Sequence, residues 1–272
     1  MPVEITGYMI FYCYNRGQNP VNKKTRFYSD LSIILLLLLI QSLPVVMLKP
    51  SDTEVLKGNN VIVYYNSSDK AGATKVFEVL ETGAEGIRKK LAFENTEPVE
   101  VYVYKSQESL WIRKYGLVTL LGAPEWYIGD NKGDKVLIVS PDADTRVHNS
   151  DSILSTALHE LVHAINYQIN PELSYWLDNG LATYLAGQVP YFSLDYFYDI
   201  PTLKDLKSEN QIRFGEIGGY QYSYTYIEFL DNNYGWDKVL ELLRGKKTYE
   251  EIFSKSEQDI YEEWVEYLRE NY

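Results

Sequence analysis

Residues 32–48 read SIILLLLLIQSLPVVML, an uncharged run with five consecutive leucines. At about 17 residues it sits at the short limit for a helix that crosses a bilayer, roughly 17–25. The alternative, a buried core helix, is disfavoured by five consecutive leucines within a run that lacks any charge. It therefore splits the chain in three: a short basic tail (1–31), a transmembrane anchor or signal segment (32–48), and a folded body (49–272). Lys23, Lys24 and Arg26 precede the run and place the tail in the cytoplasm and the body outside. A cleaved signal sequence with an extended N-terminus suits the same pattern. No small-x-small cleavage site is clear, which favours the anchor. No cysteine follows the run, which excludes a lipoprotein.

Charge follows the same division. The first 48 residues hold Arg16, Lys23, Lys24 and Arg26 against Glu4 and Asp30, so of the net charge of −12 the tail and apolar run contribute +2 and the body −14. A nucleic-acid partner is excluded on that ground, because phosphates demand a basic surface. Cys13 is the only cysteine. An intramolecular disulfide and a cysteine-based metal cluster are both ruled out. The 25 tyrosines are read as core and interface residues before any binding role.

Within the body, residues 59–66 (NNVIVYYN) and 99–105 (VEVYVYK) read as strands, rich in Val, Ile and Tyr. Residues 71–91 place Val76, Val79, Leu80, Ala84 and Ile87 at helical spacing. A short helix over 106–116 opens at Ser106 and closes at Gly116. Residues 126–141 read as two short strands about an Asn/Gly turn. Beyond residue 150 the pattern is helical: 151–169 with Asp151 or Ser152 as its cap, 173–187, 221–234, 236–243, 249–254 and 258–270. The expected fold class is α+β, a small mixed-sheet lobe (49–150) followed by a helical lobe (151–272).

The helix over 151–169 contains HELVH. His159 and His163 are four apart, so both imidazoles lie on one face and can reach one ion. Glu160 projects beside them, placed to act on water and not to bind the ion. Zn²⁺ held there would acidify a bound water and polarise a carbonyl. The alternative is two hydrogen-bonded histidines on a core helix; the motif and its apolar flanks argue for the metal. His148, in the polar stretch DADTRVHNSD, reads as a solvent-exposed loop residue.

These residues, together with Pro171 and the stretch WLDNGLATY (Trp176–Tyr184), resemble the gluzincin metallopeptidases, in particular the compact peptidase MA-like group. Its pattern is HExxH, a spacer with proline, then W-L-x-E-G-x-A-x-Y on a second helix. PTLKDL (Pro201–Leu206) and the segment from Tyr220 to Tyr234–Gly235 extend the likeness, which covers about 55–272. The resemblance implies a zincin-like fold with the metal cleft between the lobes. It implies peptide-bond hydrolysis with Zn²⁺ as cofactor and a peptide or protein as substrate. It also implies Glu160 as base, Tyr220 as an oxyanion donor with Tyr222 and Tyr224 as competitors, and substrate added as a strand along Lys135–Ser140. The third metal ligand falls on Asn179, where the pattern has glutamate. An amide oxygen has less charge to give than a carboxylate. Four readings follow: a weakened zinc site through His159, His163 and Asn179; Asp178 as the ligand instead; a structural zinc site without turnover; or a silenced fold kept as an extracytoplasmic peptide or cell-wall binding module. Where it is not the ligand, Asp178 reads as solvated or as the partner of a histidine N–H.

Overall fold

The computed structural model describes residues 23–122, 124–190 and 199–272, with the backbone alone for 23–25. Most of the expected basic tail, Cys13 included, lies outside the described residues.

Helix α1 (Lys23–Val46) contains the apolar run. Its stretch Arg26–Val46 is long and apolar enough to cross a membrane, and none of it is buried against the rest of the chain. The helix stops at Val46, and Leu48 already belongs to the folded body. Its side chain packs in the core, and its carbonyl accepts from the Tyr104 hydroxyl at 2.7 Å.

The body is mixed α+β. Strands β1 (Thr53–Lys57), β2 (Val61–Asn66), β3 (Val99–Tyr104), β4 (Gly129–Lys132) and β5 (Lys135–Val139) form one sheet in the order β1-β2-β3-β5-β4. β2, β3 and β5 run parallel, and the two outer strands are antiparallel to their neighbours. β3 and β5 are near-continuous apolar runs, as strands covered on both faces need, and β2 alternates with one face fully buried. A two-residue turn closes the β4–β5 hairpin, with Gly133 at φ +60°; a β-carbon is strained in that conformation. β1 was not expected from sequence.

Substrate addition along Lys135–Ser140 is overturned by this order. β5 is hydrogen-bonded to β3 on one side and β4 on the other, so it has no free edge. The free edge on that side belongs to β4.

Helix α2 (Lys70–Lys90) crosses between β2 and β3 and packs on β2; helix α4 (Ser150–Ile169) packs beside it on β4 and β5. Short helix α3 (Gln107–Tyr115) is capped by Ser106, whose hydroxyl accepts from the Ser109 N–H. The cap of α4 is Asn149, not Asp151 or Ser152. Its side chain accepts from the Ser152 N–H at 2.9 Å, which makes Ser150 and Asp151 the first helical residues.

Helix α5 (Tyr175–Leu185) packs on α4 and, more closely, on α8 (Gly219–Tyr234). Two short helices not expected from sequence, α6 (Leu203–Leu206) and α7 (Gln211–Glu216), lead into α8. Helices α9 (Trp236–Arg244), α10 (Tyr249–Phe253) and α11 (Glu257–Asn271) complete the body. Trp176 anchors α5 in an aromatic cluster with Phe214, Tyr226 and Trp264. Tyr222, Tyr224 and Tyr226 are buried, and the Tyr226 hydroxyl meets that of Tyr249. Helix α4 thus has the sheet on one side and the helical layer on the other, and HELVH lies at that junction.

Candidate metal centre

His159 and His163 share one face of α4 as their spacing requires. Their Nε2 atoms stand 3.0 Å apart. The outer nitrogen of each ring is held by a different partner. His159 Nδ1 donates to Gln188 Oε1 at 2.9 Å, and the Gln188 amide nitrogen donates in turn to the Ser155 hydroxyl at 3.2 Å. His163 Nδ1 forms an ion pair with Asp178 Oδ2 at 2.7 Å. The other oxygen of Asp178 accepts from Asn166 Nδ2 at 2.8 Å. An acceptor on each Nδ1 fixes the proton there and leaves both Nε2 lone pairs facing one another. Two lone pairs at that distance repel unless a cation, either a proton or a metal, lies between them.

Without metal, one proton is shared unequally. At His163 burial opposes charge, but Asp178, with Glu160 and Asp130 behind it, outweighs burial and raises the pKa. At His159 burial and the neighbouring His163 lower it. Two nitrogens bound at about 2.05 Å to a tetrahedral zinc are about 3.3 Å apart, close to the spacing already present. The imidazole pair fits zinc; the third position fits it poorly. Among the described residues, no group of three or more His, Cys, Asp or Glu side chains is arranged to hold a metal. Asn179 is 2% exposed on α5, and its amide nitrogen donates to the Tyr175 carbonyl at 2.9 Å. That bond points the donor end of the amide into its own helix and leaves Oδ1 as the group able to meet a cation.

Asp178 sits on the far side of His163 from His159. Its contact is to Nδ1, so it orients the ring and does not share the Nε2 space. This places it as the outer partner of a histidine, the other role its position next to Asn179 allows.

Glu160 is 7% exposed. Burial pushes it up to about 8; His163 and Lys114 oppose the rise and Asp130 adds to it. The β4 backbone runs directly alongside: a β-carbon added at Gly129 would lie 3.1 Å from Glu160 Cγ. Asp130, the next residue on that edge strand, pairs with Lys114 of α3 at 2.6 Å and accepts from the Tyr127 hydroxyl.

Tyr220 is the tyrosine at the centre. Its ring lies 6.2 Å from that of His159, and its hydroxyl is linked to Tyr175, which Asn179 also contacts. The two competitors are elsewhere: Tyr222 packs on Trp264 and Tyr224 on Tyr184. At 37% exposure, Tyr220 is the member of the group that meets solvent. His148 is half-buried and not exposed as expected; it ties the segment before β4 to the start of α4 through the Trp126 carbonyl (2.9 Å) and the Ser152 hydroxyl (3.3 Å).

Gln188, Tyr175, Asp130 and Lys114 escaped sequence reading. Gln188 follows α5 in a loop and Tyr175 opens a helix, so neither belongs to a periodic pattern. Lys114 and Asp130 are 16 residues apart in the chain, and only the packing of α3 on the sheet brings them together.

No family model matches the chain, and no curated protein matches it.

Proposed function

We propose that this is a membrane-anchored, zinc-dependent peptidase with its folded body on the extracytoplasmic side. The observation that carries the reading is the imidazole pair: Nε2 atoms 3.0 Å apart, with each Nδ1 held by its own acceptor. His159 and His163 would hold the ion, with the Asn179 amide oxygen in the place of the usual carboxylate. When bound, zinc supplies Lewis acidity, polarising a carbonyl and bringing the pKa of water towards ~7. The neutral amide adds no charge to that site, so affinity and turnover are lower than a glutamate would give.

The chain's own residues carry the remaining steps. In its ionised form, which burial shifts to higher pH, Glu160 takes the proton from the attacking water and returns it to the leaving amine. Asp178, held by Asn166, keeps His163 in one orientation. Burial raises the pKa of Tyr220, which keeps its phenol protonated and able to donate to a developing oxyanion. The free edge of β4 offers main-chain N–H and C=O groups to an extended peptide beside Glu160.

A second reading is favoured by one observation. The Asn179 amide is buried and bonded within its own helix, which suits a silenced fold that binds peptide or cell-wall material without cleaving it. The discriminating experiment is Glu160→Gln in the full chain. The peptidase reading predicts loss of hydrolysis of a mixed peptide library with zinc retained. Hydrolysis that survives the change overturns the mechanism. Zinc without turnover in the natural chain supports a structural site.

A further inference from the structure

The turn Leu117–Leu121 that follows α3 leaves three of its four apolar residues in solvent. Val118 is 55% exposed, Leu120 65% and Leu121 91%, and Trp126 nearby is 63% exposed. The same turn is bonded to α1. Gln41, the one amide in the apolar stretch, donates from Nε2 to the Tyr115 carbonyl and accepts at Oε1 from the Val118 N–H, both at 2.7 Å. Gly116 permits the approach: with φ +84°, a β-carbon there would lie 2.3 Å from the Gln41 carbonyl oxygen.

We propose that Leu117–Leu121 and Trp126 form a second membrane contact, inserted in the outer leaflet beside α1, so that the body lies on the bilayer with the β4 edge near its surface. This rests on reading α1 as a bilayer span. Three observations select lipid as the occupant. First, depth: Gln41 lies five residues before Val46, about 7 Å along the helix, which matches the roughly 5–10 Å to which interfacial elements bury their apolar face. Second, polar satisfaction: both ends of the Gln41 amide are paired, one with the Tyr115 carbonyl at the end of α3 and one with the Val118 N–H of the turn, as groups removed from water must be. Third, charge: cations gather at the level of the helix end. Arg113 donates to the Met47 carbonyl at 2.6 Å, and Lys132, at the end of β4, donates to the Val45 carbonyl. A cavity of about 320 Å³ opens at the same level, lined by Pro44, Pro50, Lys105 and Arg113 among others. An apolar tip below a basic collar is the arrangement that fits acyl chains under anionic headgroups. The consequence for the site is positional. Lys132 is the last residue of the edge strand that passes Glu160, so a peptide paired along β4 lies close to the headgroups, which favours the juxtamembrane segments of other membrane proteins.

The test uses the full chain in vesicles of phosphatidylcholine and phosphatidylglycerol, in a Cys13→Ser background. A nitroxide is attached in turn at Leu121→Cys, at Leu37→Cys in the middle of α1, and at Glu94→Cys, which is exposed and precedes the end of β3 opposite to Tyr104 and its bond to Leu48. Collision with oxygen is compared with collision with a water-soluble nickel chelate. The expected result is an oxygen-to-nickel ratio at position 121 severalfold above that at position 94 and approaching that at position 37. A ratio at 121 equal to that at 94, with 37 in lipid, overturns the proposal and leaves the span intact. A ratio at 37 equal to that at 94 removes the span and the proposal with it. Protection of 121 from both reagents shows a protein cover, such as a second copy, and also overturns it.

Discussion

Gly180 follows Asn179, and the structure gives it a packing reason. A β-carbon there would lie 2.6 Å from the Ser223 carbonyl oxygen and 2.8 Å from Ile227 Cγ1 on α8. Carbon packs against carbon at about 3.5–4.0 Å, so Gly180→Ala must part α5 from α8 by several tenths of an ångström, and the nearest obstacle is main chain, which cannot rotate away. Overpacking of this kind costs about 1–3 kcal/mol. Alanine recovers up to about 1 kcal/mol through helix propensity. The net expectation is a loss of about 1–2 kcal/mol, or a fall in Tm of about 2–8 °C for a body of this size. Urea unfolding of the full chain in mild detergent, followed by circular dichroism, should show a lower midpoint at unchanged slope. Because α5 carries Asp178, the same displacement should disturb its 2.7 Å contact with His163. An alanine variant as stable as the natural chain, or more stable, would refute the claim that α5 and α8 meet at this glycine.

Two further outcomes follow from the same geometry. Asp178→Asn removes the charge that holds His163 Nδ1 and should weaken zinc binding about 10–100-fold, read by competition with a chromophoric chelator; unchanged affinity would show that the ring is oriented by packing alone. Asn149→Ala removes the cap of α4 and should cost about 1 kcal/mol, measured by the same urea unfolding; no change would mean that Ser150 or Asp151 takes over.

The central strands and the long helices were legible because their patterns are strong. Val61, Val63 and Tyr65 alternate inward on β2, and α4 combines an apolar face with a polar start. The strand order was not legible. The assignment of Lys135–Ser140 as a substrate strand failed because β5 precedes the HELVH helix in sequence yet is interior in the sheet, and order along the chain does not give order across a sheet. β1 is short, mixed in charge and half-exposed, so its residues carry little strand pattern. Helices α6 and α7 have four and six residues, too few for a periodicity to register. The cap of α4 lay in a run, Asn149 to Ser152, in which every residue is a competent cap, and geometry alone picks the first. At the site, the His159–His163 pair followed directly from helical spacing. Asp178 as the outer partner of a histidine was among the roles its position allowed. Gln188, by contrast, reaches His159 through a loop that no periodicity describes.

The central claim is that the imidazole pair holds zinc despite Asn179. The direct measurement is zinc content by mass spectrometry on the full chain purified without chelator, beside His163→Ala and Asn179→Glu. The account predicts zinc near one per chain in the natural protein, its loss in His163→Ala, and tighter retention in Asn179→Glu. Zinc in Asn179→Glu alone would contradict it and leave the fold as a binding module.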